Sequence, residues 1–386
     1  MTARFHRAFL SACLLASAAL FFSCHRAGPD GAIVIAIEAF PSAMDPRMGT
    51  DLASDRLFAL LHRGLFKVNG CLEPEPDLAE CCEQISPLEY VIRLKKGLKF
   101  SDGKPLSSAD AVFTISSIIA DGSRSPKKGE LGLIRSVEAV DGESLRIRLD
   151  SPSAPILTLL NFGILPEDTP FAGETSPPGL GPFRVASMNR GRDIFLEENP
   201  HSVPGPETEA ITLKVIEDPV LRALEMKRGS VDIVVNDLPP DSVYEFERSG
   251  FTVKRFPGTN YSYIGINCRK KHLDDPNVRK AISMAINRKA ILKNIMRGYG
   301  REATGMLSPE NWAYFPAVNP PYDPSGAEAI LETAGIKRNS EGVRMKLSYK
   351  TSLNKISRFA AEAMAEDLRE VGILLEIQSL EWGSFY

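Results

Sequence analysis

Cysteine and histidine are the side chains with which this chain could do metal, redox or nucleophilic chemistry, and their spacing does not favour any of these. The 386-residue sequence holds six cysteines and five histidines. Cys13 and Cys24 lie near the N-terminus, and Cys71, Cys81, Cys82 and Cys268 follow with no CxxC spacing. The histidines are equally dispersed, so no zinc site is expected and no metal or cofactor is assigned. In an oxidising compartment Cys71 could bridge to Cys81 or Cys82 and close a short loop; reduced or buried thiols are the alternative. Gly179-Leu180-Gly181-Pro182 has the look of a phosphate loop. It lacks a following Lys-Ser/Thr pair, and Pro182 has no amide to offer, so nucleotide binding is discounted. No G-x-S-x-G or H-E-x-x-H pattern occurs, which argues against a secreted hydrolase. What remains is recognition by polar and aromatic groups. Tyr261, Tyr263 and Asn267 fall on alternate positions, and the two tyrosines can stack on or hydrogen-bond a bound molecule, or pack into a core.

The elements that position these residues follow from apolar periodicity. Tyr261 to Asn267 alternates with Ile264 and Ile266 and reads as a strand. Asp274 or Asp275 can cap a helix with Pro276 in its first turn, and Val278, Ala281, Ile282, Ala285 and Ile286 fall on one face of it. Ile33, Ile35 and Ile37 predict a strand within Gly31 to Phe40, and Tyr90 to Leu94 a second. Ser101-Asp102-Gly103 is a turn, and Ser107 with Asp110 forms a capping pair ahead of a helix. Asp218 to Lys227 reads as a short helix, and Val231 to Val235 as a strand leading into Asn236-Asp237. Near the end, a strand over Met345 to Tyr349, a helix over Ile356 to Val371 with Gly372 as its stop, and a strand over Ile373 to Leu380 make a β-α-β unit suited to parallel pairing. The Pro- and Gly-rich segments 166–182 and 312–326 read as linkers or surface loops.

The first residues narrow the compartment. Arg4, His6 and Arg7 make a basic leader, Ala8 to Phe22 is almost wholly apolar, and no acidic residue precedes Asp30. That run is the length of a signal-peptide core and short for a membrane span. It ends Leu20-Phe21-Phe22-Ser23-Cys24, which resembles a bacterial lipobox, although Phe21 stands where an aliphatic residue is usual. Residues 1–23 are thus expected to be a lipoprotein signal peptide with Cys24 as the lipid attachment site; a plain secretory signal is the alternative. Over the whole chain, 43% hydrophobic and 25% charged residues describe an ordinary globular protein, and a net charge of −3 is too mild to suggest nucleic acid. A chain of this length forms two or three domains.

The stretch YSYIGINCRKKHLDDPNVRKAISMAINRKAIL, Tyr261 to Leu292, resembles a block found in bacterial solute-binding proteins of the oligopeptide and dipeptide type, the capture subunits of ABC importers. MDPRMGTDLASDRLFALLHRGLF, from Met44, is similar to that family's opening motif. CLEPEPDLAE, from Cys71, is similar to its P-x-L-A-E element, and Gly179 to Phe183 to its G-x-G-P-Y element. YVIRLKKGLKFSDGKPLSSADAVFTI, from Tyr90, is the most specific match, and Glu381-Trp382 closes the series. The matches run in the family's order over nearly all of the chain after the leader.

The resemblance implies an α/β, two-lobed periplasmic-binding-protein-like fold with an extra domain. Residues 32–55 plus 175–265 would form the first lobe, 56–174 the extra domain and 266–386 the second lobe. It implies an extracytoplasmic lipoprotein in the periplasm that captures oligopeptides or dipeptides by hinge closure. Its partners would be the peptide, ABC permease subunits in the inner membrane, and a lipid bilayer through the acylated N-terminus. By position, Thr50, Leu52, Asn236 and Asp237 would line the ligand cleft, and Tyr261, Tyr263 and Asn267 would lie on a hinge strand. The family continues past Trp382, where it carries an aspartate that pairs with the peptide's amine. On that reading the second lobe is incomplete, peptide binding is weak or absent, and a truncated, non-transporting lipoprotein of structural or chaperone-like role is an alternative. Nickel and haem binders share the architecture, though the scarcity of clustered His and Met weighs against a metal.

Overall fold

A computed structural model describes residues 31–171, 175–236 and 238–380. The expected signal peptide over residues 1–23, Cys24, Asp237 and the closing Glu381-Trp382 lie outside the described residues. The chain divides into two units, Met1–Pro239 and Pro240–Tyr386.

Among its described residues the first unit contains two larger sheets with separate cores and one two-stranded hairpin. The alternation at Ile33, Ile35 and Ile37 does produce a strand, β1 (Ile33–Ile37). The helix α1 (Leu52–Leu61) follows it. Later segments complete the sheet: β8 (Phe183–Asn189), β9 (Asp193–Glu198), β10 (Ala210–Val215) and β11 (Ile233–Val234), in the order β11-β1-β10-β9-β8. Strand β1 runs parallel to β10, with Ile33 opposite Ile211, and parallel to β11. The pleat sends its side chains to opposite faces. One face meets Leu57 and Leu61 of α1, together with Ile194, Leu196 and Leu213. The other buries Val34 and Ala36 against Ile216 and Val231. Between β10 and β11 lies α5 (Pro219–Arg228), N-capped by Asp218 and ended by Gly229 at φ +71°.

The second sheet comprises β4 (Ala79–Ser86), β5 (Glu89–Leu94), β6 (Ile134–Ala139) and β7 (Ser144–Leu149), antiparallel in the order β4-β5-β7-β6. A small hairpin of β2 (Phe66–Val68) and β3 (Pro74–Pro76) precedes it. Its inner face, with Tyr90, Ile92, Leu94, Leu145 and Ile147, is buried against Ala111, Ile115 and Ile118 of α2 (Ser108–Ile119). Ser107 and Asp110 form the capping box the sequence predicts. The short helices α3 (Lys128–Leu131) and α4 (Ile156–Leu159) add Leu131 and Ile156 to the same core. On the outer face Arg146 and Arg148 pair with Glu89 and Glu138. Cys71, Cys81, Cys82 and Cys268 are free thiols.

In the second unit α6 (Pro240–Arg248), α7 (Pro276–Ala285), α8 (Arg288–Asn294) and α9 (Pro324–Thr333) precede β12 (Met345–Ser352), α10 (Lys355–Glu370) and β13 (Ile373–Leu380). Strands β12 and β13 pair in parallel, Met345 opposite Ile373, as the β-α-β pattern predicts. Asp275, not Asp274, caps α7. The apolar face of α7 packs on Ala327, Leu331, Ala361, Met364 and Leu368 of α9 and α10. The strand expected over Tyr261 to Asn267 is not formed: residues 251–267 have no regular structure and are mostly exposed. A period-two pattern makes a strand only where a neighbouring edge takes up the backbone groups, and no described strand pairs with this segment. No helix among the described residues is long and apolar enough to cross a membrane.

Candidate functional site

In the first unit the candidate site is the turn that carries Thr50 and Leu52 between β1 and α1. Its foundation is Asp45-Pro46-Arg47. The Met48 amide donates to the Asp45 carbonyl at 2.9 Å and closes the turn. Asp45 and Arg47 are both fully buried. Arg47 Nε donates to Asp45 Oδ1 at 3.0 Å, and its Nη2 to Oδ2 at 2.7 Å. A buried charge pair is tolerated only when its remaining donors are also satisfied, and here they are. Nη2 reaches the Pro170 carbonyl at 2.9 Å, and Nη1 reaches the Thr169 carbonyl and Ser117 Oγ, both at 3.2 Å. The guanidinium lies 4.0 Å from the centroid of the Phe171 ring.

Past this anchor, Gly49 has no room for a Cβ, which would meet the Phe58 ring. Asp51 then caps α1 by accepting from the Ser54 amide at 2.9 Å. Burial works against its carboxylate, but donors from Ser42 and Ser54 outweigh that and hold its pKa below the ordinary value. Thr50 and Leu52 flank Asp51 and are exposed, Leu52 by 53%. An exposed leucine on so fixed a backbone is available to a ligand.

At the far end of α1 stands His62, 5% exposed, with neither ring nitrogen hydrogen-bonded. Burial pushes its pKa down to about 4, against the opposing charge of Asp45. Phe58 packs edge-on at 5.9 Å, and Gly163 and Gly179 press so close that a Cβ on either would strike the imidazole. The G-x-G segment, read from sequence as part of a surface loop, is in fact buried. Any side chain at Gly179 or Gly181 would overlap the Leu61 backbone, so these glycines serve close chain approach.

Asn236 follows β11, is exposed, and adopts φ +54°, a left-handed conformation that asparagine tolerates better than most residues. In the second unit Tyr261 and Tyr263 stack, ring centroids 5.3 Å apart, and Tyr263 is 70% exposed. Their alternative role as core residues is therefore not the one they adopt here. Asn267 is exposed, and its Oδ1 accepts from the Arg269 amide at 3.0 Å, so that oxygen is engaged in its own turn.

Sequence reasoning did not single out Arg47 or His62. An arginine in D-P-R looks solvated, and a histidine ending a helix looks like a surface cap; only the three-dimensional neighbours show otherwise. The second unit adds two further groups. Glu247 accepts from Arg255 and from the Tyr299 hydroxyl, and Arg297 pairs with Asp241, which together fix α6 to the segment after α8. Arg301 grips Glu310 with both terminal nitrogens, at 2.6 and 2.5 Å, and that hydrogen bonding takes the Glu310 pKa down to about 2. Among the described residues no group of three His, Cys, Asp or Glu is assembled that could hold a metal ion.

Comparison with known proteins places this architecture. The family model for bacterial extracellular solute-binding proteins, family 5 Middle, matches residues 73–386. The chain belongs to the family 5 solute-binding proteins. It is similar to the oligopeptide-binding protein AppA of Bacillus subtilis, 28% identical over 97% of this chain and 74% of the relative. It is also similar to the dipeptide-binding protein of Escherichia coli, 26% identical over 92% of this chain and 72% of the relative. The crystal structure of AppA with a nonapeptide superposes with a TM-score of 0.70 at 25% identity, over 92% of this chain and 75% of that one. NikA of Brucella suis, solved with Fe(III)-EDTA, gives a TM-score of 0.81 at 22% identity over 92% of this chain and 76% of that one, a likeness of fold alone. This family 5 protein is thus a solute-binding protein of the ABC-transporter type, and its relatives are binding proteins rather than enzymes.

Proposed function

We propose that this family 5 protein captures short peptides outside the cytoplasm and delivers them to an ABC permease. The observation that carries the reading is that AppA, similar over 97% of this chain and 74% of its own length, is named for oligopeptides and is seen with a nonapeptide. The ligand-lining residues in this reading are Thr50, Leu52, Asn236 and Asp237 together with Tyr261, Tyr263 and Asn267. Two features support it. Leu52 is exposed at the start of α1, just after the capping Asp51, and Tyr261 and Tyr263 offer a stacked, exposed aromatic surface. In this reading residues 32–55 plus 175–265 form the first lobe, 56–174 the extra domain and 266–386 the second lobe. Thermal unfolding with and without a pool of di- to nonapeptides tests the function, since a ligand that binds only the folded state raises the midpoint. Thr50→Ala and Tyr263→Ala should each weaken binding roughly two- to tenfold, the scale of one hydrogen bond or aromatic contact. Unchanged affinity in both would remove these residues from the site.

Cys24 is the lipid attachment site in this reading, which accounts for Ser23-Cys24 after an apolar leader. Labelled palmitate fed to expressing cells should enter the wild-type chain and not Cys24→Ala. Equal labelling of both would leave only a secretory signal.

A further inference from the structure

Three separated segments of the first unit converge on Arg47, which sits two residues after Asp45 and three before Thr50. From its own turn it takes both Asp45 oxygens. From α2 it takes Ser117 Oγ at 3.2 Å, and from the segment after β7 and α4 the carbonyls of Thr169 and Pro170 at 3.2 and 2.9 Å. Phe113 of α2 and Phe171 flank the guanidinium, 5.8 and 4.0 Å from it. The Arg47 carbonyl accepts from Ser125 Oγ at 2.6 Å, so backbone and side chain are fixed from two directions. Stability alone does not require this arrangement, because apolar groups of similar volume fill such a space at least as well as an ion pair. A planar fork with directed donors supplies a defined orientation. The residues oriented are Gly49, Thr50, Asp51 and Leu52, and of these Thr50 and Leu52 are exposed.

We propose that Arg47 is the positioning residue of the ligand-lining turn, locking Thr50 and Leu52 to α2 and the 165–171 segment. This rests on the reading that Thr50 and Leu52 line the ligand site. Arg47 itself is fully buried and acts through them.

The test uses the full chain with Arg47→Lys and Phe171→Leu. Lysine keeps the charge beside Asp45 but loses the fork. Phe171 is 39% exposed, so its variant leaves the core intact and remains informative if Arg47→Lys does not fold. Without ligand, hydrogen exchange at amides 48–54 should accelerate roughly tenfold or more in Arg47→Lys, and less in Phe171→Leu, while β10 amides keep wild-type rates. Exchange that rises everywhere alike, or nowhere, overturns the proposal. With peptide, Thr50→Ala should weaken binding in the wild type and have little further effect in Arg47→Lys or Phe171→Leu, because the threonine is already displaced. Additive losses would show that Arg47 does not act through Thr50 and overturn the proposal. If the wild type binds no peptide, the peptide-capture reading fails, and the exchange result alone decides whether Arg47 holds the turn.

Discussion

Arg47 and His62 show two ways of placing a basic group inside a protein. Arg47 is accommodated there because a carboxylate, a hydroxyl and two carbonyls replace water around it. His62 has no such partners, so burial favours the neutral ring and sets its pKa near 4. That value lies below the ordinary 6.5, so the unfolded chain binds a proton there that the folded chain refuses. The associated stability is fully present above about pH 6.5 and is lost as the pH falls towards 4, to a limit of roughly 3 kcal/mol. In His62→Leu this loss should disappear: the wild-type unfolding midpoint in urea should fall more steeply than the variant's between pH 6.5 and 4. Parallel slopes would show that the ring does not titrate in that window. At pH 7 the variant should be as stable as the wild type or slightly more so, since two unsatisfied nitrogens leave the interior. Cys82 follows the same principle in another chemistry. Burial, with the neighbouring Cys81, pushes its thiol up to about 11, so a thiol reagent at pH 8 should modify the exposed Cys81 well before it.

At the scale of elements, the end of α1 and the G-x-G segment before β8 cross closely in the first unit. Adding a Cβ at Gly181 would drive it into the Leu61 backbone, with the Leu60 carbonyl oxygen at 2.5 Å and the His62 amide at 2.7 Å. Backbone cannot move aside as a side chain can, so Gly181→Ala should cost about 2–3 kcal/mol. Gly142→Ala, where no atom lies within 4 Å of the added carbon, should stay within about 0.5 kcal/mol of wild type. Chemical denaturation of both variants measures the difference, and similar values would mean the crossing is looser than drawn. Elements that depend on local chemistry were legible in the sequence. The capping box at Ser107 and Asp110 and the stop at Gly372 with φ +83° follow from neighbours a few residues apart. Elements that depend on distant neighbours were not. The alternation at Tyr261 to Asn267 resembles that of β1, yet β1 finds β10 and β11 beside it while 261–267 finds no described strand. The burial of Gly179 to Gly181 depends on α1, more than a hundred residues earlier in the chain.

At the scale of the molecule, the order of motifs carried more information than any one of them. A G-x-G, a capping box or a β-α-β unit names no function, but their sequence along the chain resembles one family, and the match over residues 73–386 shows that family. The ligand is less legible, because the fold is shared with proteins solved with quite different molecules, AppA with a nonapeptide and NikA with Fe(III)-EDTA. Specificity lies in a few side chains on a common frame, and most of those proposed here, such as Thr50 and Tyr263, are types that could serve several ligands. The decisive measurement is isothermal titration of the purified chain with free-amine di-, tri- and longer peptides, and in parallel with nickel–histidine. Peptide capture predicts saturable heat with one or more peptides and none with nickel–histidine. Saturable binding of nickel–histidine with no response to any peptide would contradict it.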